Sequence, residues 1–251
     1  MSAAHDLAKL SFTDVRERLA RPGGCLAILP VGATEAHGPH LPLDTDVTIA
    51  LGMARRAAAE LVRRGRACVV LPPLAYSVAE FAGPFPGTLS LRRETAAALV
   101  ADVLAAAART GFRPLGVANA HLEPAHVEVL RAAVAEARAR GTDARFPDVT
   151  RRALAQRLTE EFRSGACHAG QYEGSLVLAD DPASVKDDVR RALPEVPLSL
   201  VEAMRDGKAD FLAAGGAQAY FGAPARASAE EGRATFEVLA ALLVESLLAP
   251  A

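Results

Sequence analysis

Apolar positions along the chain alternate between short continuous runs and longer stretches of helical spacing. Residues 25–31 (CLAILPV) form an unbroken apolar run between Gly23-Gly24 and Gly32. That is the pattern of a strand buried on both faces. Residues 67–71 (ACVVL) form a second run, stopped by Pro72-Pro73, and residues 115–119 form a third. Between them the pattern turns helical: residues 46–63, residues 91–109 with Gly111 as C-cap, and residues 127–140 ending at Gly141. Pro124 stands where a first helical residue belongs. Further on, residues 144–149 read as a weak strand, 151–163 as a helix and 171–179 as another. Residues 228–248 read as a final helix, with Ser228 as N-cap and Glu231 three positions later. Residues 83–90 are a loop dense in Gly and Pro, and residues 199–221 carry no legible pattern.

Strands that alternate with helices predict an α/β fold around a mostly parallel sheet. Such sheets collect ligands at the carboxyl ends of their strands. A chain of 251 residues with no repeat and no linker reads as one domain, 1–251.

The polar residues that follow the strands bring in the chemistry. The segment from Thr34 to Asp46, TEAHGPHLPLDTD, places two His and three carboxylates directly after the first strand. His121-Leu122-Glu123 follows the third. Imidazole and carboxylate together suit zinc, and also manganese or iron. Glu35 and His37, two apart in an extended segment, face the same side, and His121 and Glu123 repeat that spacing. Asp46 stands at a helix start, and a Gly38-Pro39 turn folds it back toward the pair. Each residue also has a plainer explanation: an N-cap for Asp46, a solvated loop for Glu35 and His37, a helix-dipole contact for Glu123. Five ligands, Glu35, His37, Asp46, His121 and Glu123, exceed what one zinc ion takes. They fit a pair of divalent ions about 3.5–4 Å apart that generates hydroxide near neutral pH. His126 lies on the following helix, either behind the ligands or unrelated to them. His168, ahead of a helix carrying Glu173, is a candidate general acid and base.

Composition narrows the class. A net charge of −2 gives no basic footprint for nucleic acid. No apolar stretch is long enough to span a bilayer. Three scattered Cys without a C-x-x-C motif fit a reducing compartment. Residues 1–10 do not have the make-up of a signal peptide. The expectation is a cytoplasmic protein with a small-molecule substrate and no nucleic-acid or membrane partner.

These segments resemble the creatininase family of metal-dependent amidohydrolases. Glu35 to Asp46 is similar to the family motif E-x-H-G-x-H-L-P-x-x-T-D. Residues 84–91 (PFPGTLSL) resemble its F-P-G-T-x-S-L loop, and residues 119–123 (NAHLE) its N-G-H-x-E-N segment. Residues 168–178 and 222–232 resemble its two later motifs. The resemblance implies a three-layer αβα sandwich. It also implies that Glu35 and His121 hold one metal, His37 and Glu123 the second, with Asp46 bridging. His168 is then the catalytic acid and base, with Glu123 also catalytic. Two divalent ions per chain are implied, zinc foremost, with manganese or iron as alternatives, in a homo-oligomer of hexameric type.

The chain departs from the family pattern at Cys167, Ala120, Pro124 and Gly174, and it has no Trp. These departures point away from creatinine itself. The expected reaction is hydrolysis of a non-peptide C–N bond in a small linear or cyclic amide, of amidohydrolase or deformylase type, by a hydroxide bridging the two metals. Phe81, Phe85 and Tyr172 are candidates for the pocket wall, and Glu173 for a substrate contact. The rival readings are a catalytically silent, metal-binding or scaffold relative, and a metal-dependent enzyme acting on C–O bonds or aldehyde-level carbons.

Overall fold

The computed structural model describes residues 5–250; residues 1–4, part of the segment judged not to be a signal peptide, lie outside them. Four strands, β1 (Cys25–Val31), β2 (Ala67–Val70), β3 (Leu115–Asn119) and β4 (Ala144–Arg145), form one parallel sheet in the order β2-β1-β3-β4. The helices are α1 (Phe12–Leu19), α2 (Thr45–Arg63), α3 (Arg93–Thr110), α4 (Pro124–Ala139), α5 (Arg152–Ala155), α6 (Glu160–Ser164), α7 (Gln171–Asp180), α8 (Asp187–Ala192), α9 (Leu200–Arg205) and α10 (Ala229–Leu248).

Alternation along β1 explains the layers. Leu26 and Ile28 face one core with Ile49 and Met53 of α2, Leu176 of α7, and Phe236 and Leu243 of α10. Ala27, Leu29 and Val31 face a second core with Val100 and Leu104 of α3 and Leu130 and Val134 of α4. Both faces of the sheet are therefore covered, and every residue of β1 is buried. The expected three-layer αβα arrangement is present.

Two close approaches fix the helices. A Cβ on Gly32 would stand 2.7 Å from Val47 N, so the end of β1 packs directly on the first turn of α2. A Cβ on Gly232 would stand 1.8 Å from the Ser175 carbonyl oxygen, so α10 and α7 cross in near backbone contact.

The structure corrects two expectations. The helix expected over residues 151–163 is two short helices, α5 and α6. Thr159 Oγ1 accepts from Phe162 N at 3.4 Å and starts α6 afresh. The strand expected over residues 144–149 stops after Arg145, because Pro147 lacks a donor and Asp148 closes a turn on Thr150.

Candidate metal centre

The register of β1 and β3 brings the two ligand-type segments together. Val31 pairs with Asn119, so both strands end at one level, and Glu35 and His121 emerge side by side. The order β2-β1-β3-β4 reverses direction at the β1–β3 crevice, the topological switch point where α/β sheets bind ligands. Gly38, at φ +66, turns the loop back, and Glu35 N donates to the Leu43 carbonyl at 3.0 Å. Asp46 thereby returns to the ends of the strands in the first turn of α2. It does not cap that helix. Its Oδ2 accepts from Ala33 N at 3.2 Å, and the helix N-terminus favours its charge.

Asp46 stands at the centre of the cluster. Its Oδ1 lies 3.3 Å from His37 Nε2 and its Oδ2 lies 3.1 Å from His121 Nδ1. Glu35 Oε1 is 3.1 Å from the same His121 nitrogen and 3.8 Å from His37 Nε2. Glu173 Oε2 is 3.6 Å from His37 Nε2. Two overlapping trios result: Glu35, Asp46 and His121, and His37, Asp46 and Glu173. Metal–ligand bonds of about 2.0–2.2 Å would put ligand atoms of a four-coordinate ion roughly 3.4 Å apart, the spacing found here. A third trio, Glu35, His37 and His168, is also close enough for an ion.

Three histidines share one arrangement. His37 Nδ1 meets the Glu35 carbonyl at 3.1 Å, His121 Nε2 meets the Val78 carbonyl at 2.8 Å, and His168 Nε2 meets the Ala36 carbonyl at 3.0 Å. A carbonyl only accepts, so each of these nitrogens carries the N–H. The other nitrogen of each ring faces the carboxylates, the usual orientation of a metal-ligating His, and on His37 and His121 it would bind an ion only after losing its proton. Behind His121, the Asn119 amide binds the His121 backbone at 2.6 Å and its Oδ1 accepts from His126 Nε2 at 2.8 Å. His126 thus buttresses His121 through Asn119.

Electrostatics call for cations. Glu35, Asp46 and Glu173 are at most 3% exposed, and among the described residues no Lys or Arg pairs with them. Burial opposes the His37 imidazolium, yet Asp46, Glu173 and Glu35 carry it up to about 10. Burial likewise opposes His121, but Glu35 and Asp46 raise it well above its ordinary value. Burial raises Glu173 to about 8, partly offset by His37. Protons stand in where positive charge is needed. Glu35 Oε2 and His37 Nε2 are buried without a hydrogen-bond partner, so the donor set fits divalent ions.

Glu123 lines the cluster's cavity from its edge. Its Oε2 accepts from Phe81 N at 3.1 Å, and it belongs to none of the three trios. β3 ends at Asn119, so strand alternation does not extend to His121 and Glu123, although both line one cavity with Glu35 and Asp46. Glu123 is the N-cap residue of α4, where the backbone turns its side chain toward the 80–81 loop. Glu173, expected to contact substrate, lies beside His37 in a trio that could also hold an ion. Glu173 lies in the first turn of α7, where a carboxylate also meets the helix dipole. Its aim is set by Ala169 N, which donates to Glu173 Oε2 at 2.6 Å from a left-handed residue at φ +51.

A cavity of about 60 Å³ opens beside the cluster, room for a few water-sized groups. Glu35, Asp46, His121, Glu123, His168 and Glu173 line it, with Phe81, Cys167 and Phe211. Burial and then His37 lower His168 to about 4, so it is neutral near pH 7. Burial, Glu173 and Glu161 raise the Cys167 thiol, which disfavours its thiolate form. Phe211, from the stretch without legible pattern, lies over His168 with ring centroids 4.3 Å apart. Phe81 lines the cavity as expected. Phe85 stands behind it, 6.5 Å from Phe211. Tyr172 is core, 4.9 Å from Phe162, and lines neither the cavity nor its approach.

A family model described as Creatininase, creatinine amidohydrolase, matches residues 8–247. The chain belongs to the creatininase family. A mycofactocin precursor peptide peptidase of Mycobacterium ulcerans (strain Agy99) is 34% identical over 214 residues, covering 83% of this chain and 79% of the relative. A creatinine amidohydrolase of Pseudomonas putida is 32% identical over 213 residues, covering 78% and 79%. A solved creatininase in its manganese form is 26% identical, with TM-score 0.70 over 96% of each chain. These relatives are thus named for two different substrates, creatinine and a precursor peptide. No described helix is long and apolar enough to cross a membrane.

Proposed function

We propose that this chain is a metal-dependent amidohydrolase that cleaves a C–N bond of an amide. The observation that carries this is Asp46, whose two oxygens face His37 at 3.3 Å and His121 at 3.1 Å, each with a further carboxylate beside it. Glu35, Asp46 and His121 would hold one divalent ion, and His37, Asp46 and Glu173 the second. Zinc suits these donors first, and manganese or iron also fits. When bound, such a pair activates water near neutral pH and polarises the amide carbonyl.

The chain's own residues supply the proton handling. His168 has one exchangeable position, Nδ1, because its Nε2–H is tied to the Ala36 carbonyl. Neutral near pH 7, it accepts a proton from the attacking water and returns it to the leaving nitrogen. Glu123, raised by burial and held by the Phe81 amide, is the second proton-handling group. Phe211 covers His168 and excludes bulk water from it.

The substrate of the first reading is a small linear or cyclic amide, as in deformylation or lactam opening. The second reading is a peptide bond, favoured by the 34% identity to a peptide peptidase. A catalytically silent relative has less support, because both carboxylate–His trios lie within ion-binding distance and His168 stands beside them. The test is a panel of formamides, lactams, lactones and short peptides offered to the zinc- or manganese-loaded protein. Amide cleavage is expected, with His168→Ala reducing turnover about 10²–10⁴-fold at unchanged metal content. Full turnover in that variant, or a loaded protein that cleaves no amide, contradicts the proposal.

A further inference from the structure

The catalytic cavity opens into a much larger groove, and the charges around that groove are not balanced. The groove measures about 690 Å³, against about 60 Å³ for the cavity. The two share Leu122, Gly165, Cys167, Val201 and Met204 as a neck. A small cyclic amide fills a cavity of the smaller kind. The larger volume falls in the range that holds a whole extended ligand. The substrate's bulk therefore has a seat outside the cavity.

Four arginines and two glutamates stand on this groove. Arg131 is paired with Asp148 at 2.6 Å, and Glu128 with Arg93 at 3.1 Å. Arg152 of α5, Arg163 of α6 and Arg205 of α9 are exposed. None of the three makes an ion pair or a side-chain hydrogen bond among the described residues. Glu202 is the one carboxylate of the groove in the same condition. Three unpaired guanidinium groups against one unpaired carboxylate make a positive rim on a chain whose net charge is −2. The neck between rim and cavity is apolar, with Val201 42% exposed. Guanidinium groups hold carboxylates by paired, charge-assisted hydrogen bonds.

We infer that the groove seats an anionic extension of the substrate: a short peptide-like chain whose apolar part crosses the neck and whose free carboxylate meets Arg163, Arg205 and Arg152. This rests on the amidohydrolase reading and narrows its substrate class. The scissile amide lies in the cavity, and the carboxylate sets how far the chain enters.

The experiment uses the full chain, metal-loaded and metal-free, with two probes: an apolar tetrapeptide with a free terminal carboxylate and its carboxamide twin. Binding is read by calorimetry, and turnover of the same pair by chromatography. The acid is expected to bind about tenfold tighter or more at low salt, in both metal states. The preference shrinks as salt rises. It collapses in the Arg163→Ala/Arg205→Ala double variant, persists in Arg63→Ala on another face, and grows in Glu202→Gln. Equal binding of the pair, no binding of either, or a preference that survives the double variant overturns the inference. So does a changed sedimentation coefficient in the double variant, which would make the groove a contact between copies. Cleavage without acid preference sinks this inference and leaves the amidohydrolase reading standing. Acid-selective binding without cleavage of any amide does the reverse.

Discussion

Glu123 and Glu173 are the two residues where local pattern and folded position diverge, and substitutions separate them. Glu173→Ala is expected to lose the ion held with His37 while retaining the one held by Glu35, Asp46 and His121. Glu123→Gln is expected to keep both ions and lose turnover. Elemental analysis of the two variants reads this directly, and the opposite pattern would make Glu123 the ligand and Glu173 the proton-handling group. The same cluster sets a pH dependence for the metal-free protein. His37 sits at about 10, above its ordinary 6.5, and Glu173 at about 8, above its ordinary 4.5. Both favour the folded state in protonated form. Their contribution is full below the unfolded values and is lost as pH rises through about 8 and then about 10. Urea unfolding with a chelator present is therefore expected to show stability falling between neutral pH and pH 10. Bound metal replaces the protons and flattens this fall. A metal-free protein that gains stability over that range would contradict the electrostatic account.

Glu161 of α6 shows how one element is held by another. Its carboxylate accepts from Gln171 N at 2.9 Å, Tyr172 N at 3.0 Å and Ala223 N at 2.9 Å. Gly170 offers α7 no side-chain cap, so Glu161 caps it from outside and positions Glu173 and the preceding His168. Glu161→Ala leaves buried amides unpaired and is expected to cost about 2–4 kcal/mol. It should also weaken the ion held by Glu173 more than the one held by His121, with Glu161→Gln milder in both. Equal weakening of both ions would mean a general loss of structure. Gly232→Ala forces a methyl against the Ser175 carbonyl and is expected to cost roughly 3 kcal/mol by pushing α10 from α7. Thermal unfolding measures it, and an unchanged melting temperature would contradict the tight crossing. At this scale the sequence was readable where periodicity was strong. β1, α2, α4 and α10 fall within a few residues of expectation, because Gly, Pro and Ser punctuate them. Residues 199–221 were not readable. Their six-residue helix α9 and following turns draw their order from packing: Phe211 sits against Phe81, Phe221 and His168, contacts without local signature.

For the whole molecule, the alternation of strands and helices announced a parallel sheet, and the position of the polar clusters after its strands announced the site. Strand order was hidden, because nothing local says that β3 lies beside β1. That adjacency is what places His121 beside Glu35. The groove was equally hidden, since Arg152, Arg163 and Arg205 come from three short helices without mutual spacing. Asp46 is proposed to join two divalent ions at the β1–β3 crevice. The most direct test is metal content per chain by elemental analysis of protein purified without added metal or chelator, repeated after add-back of zinc or manganese. The account predicts about two divalent ions per chain, falling together in Asp46→Ala. A wild-type chain that holds none, even after add-back, would contradict it.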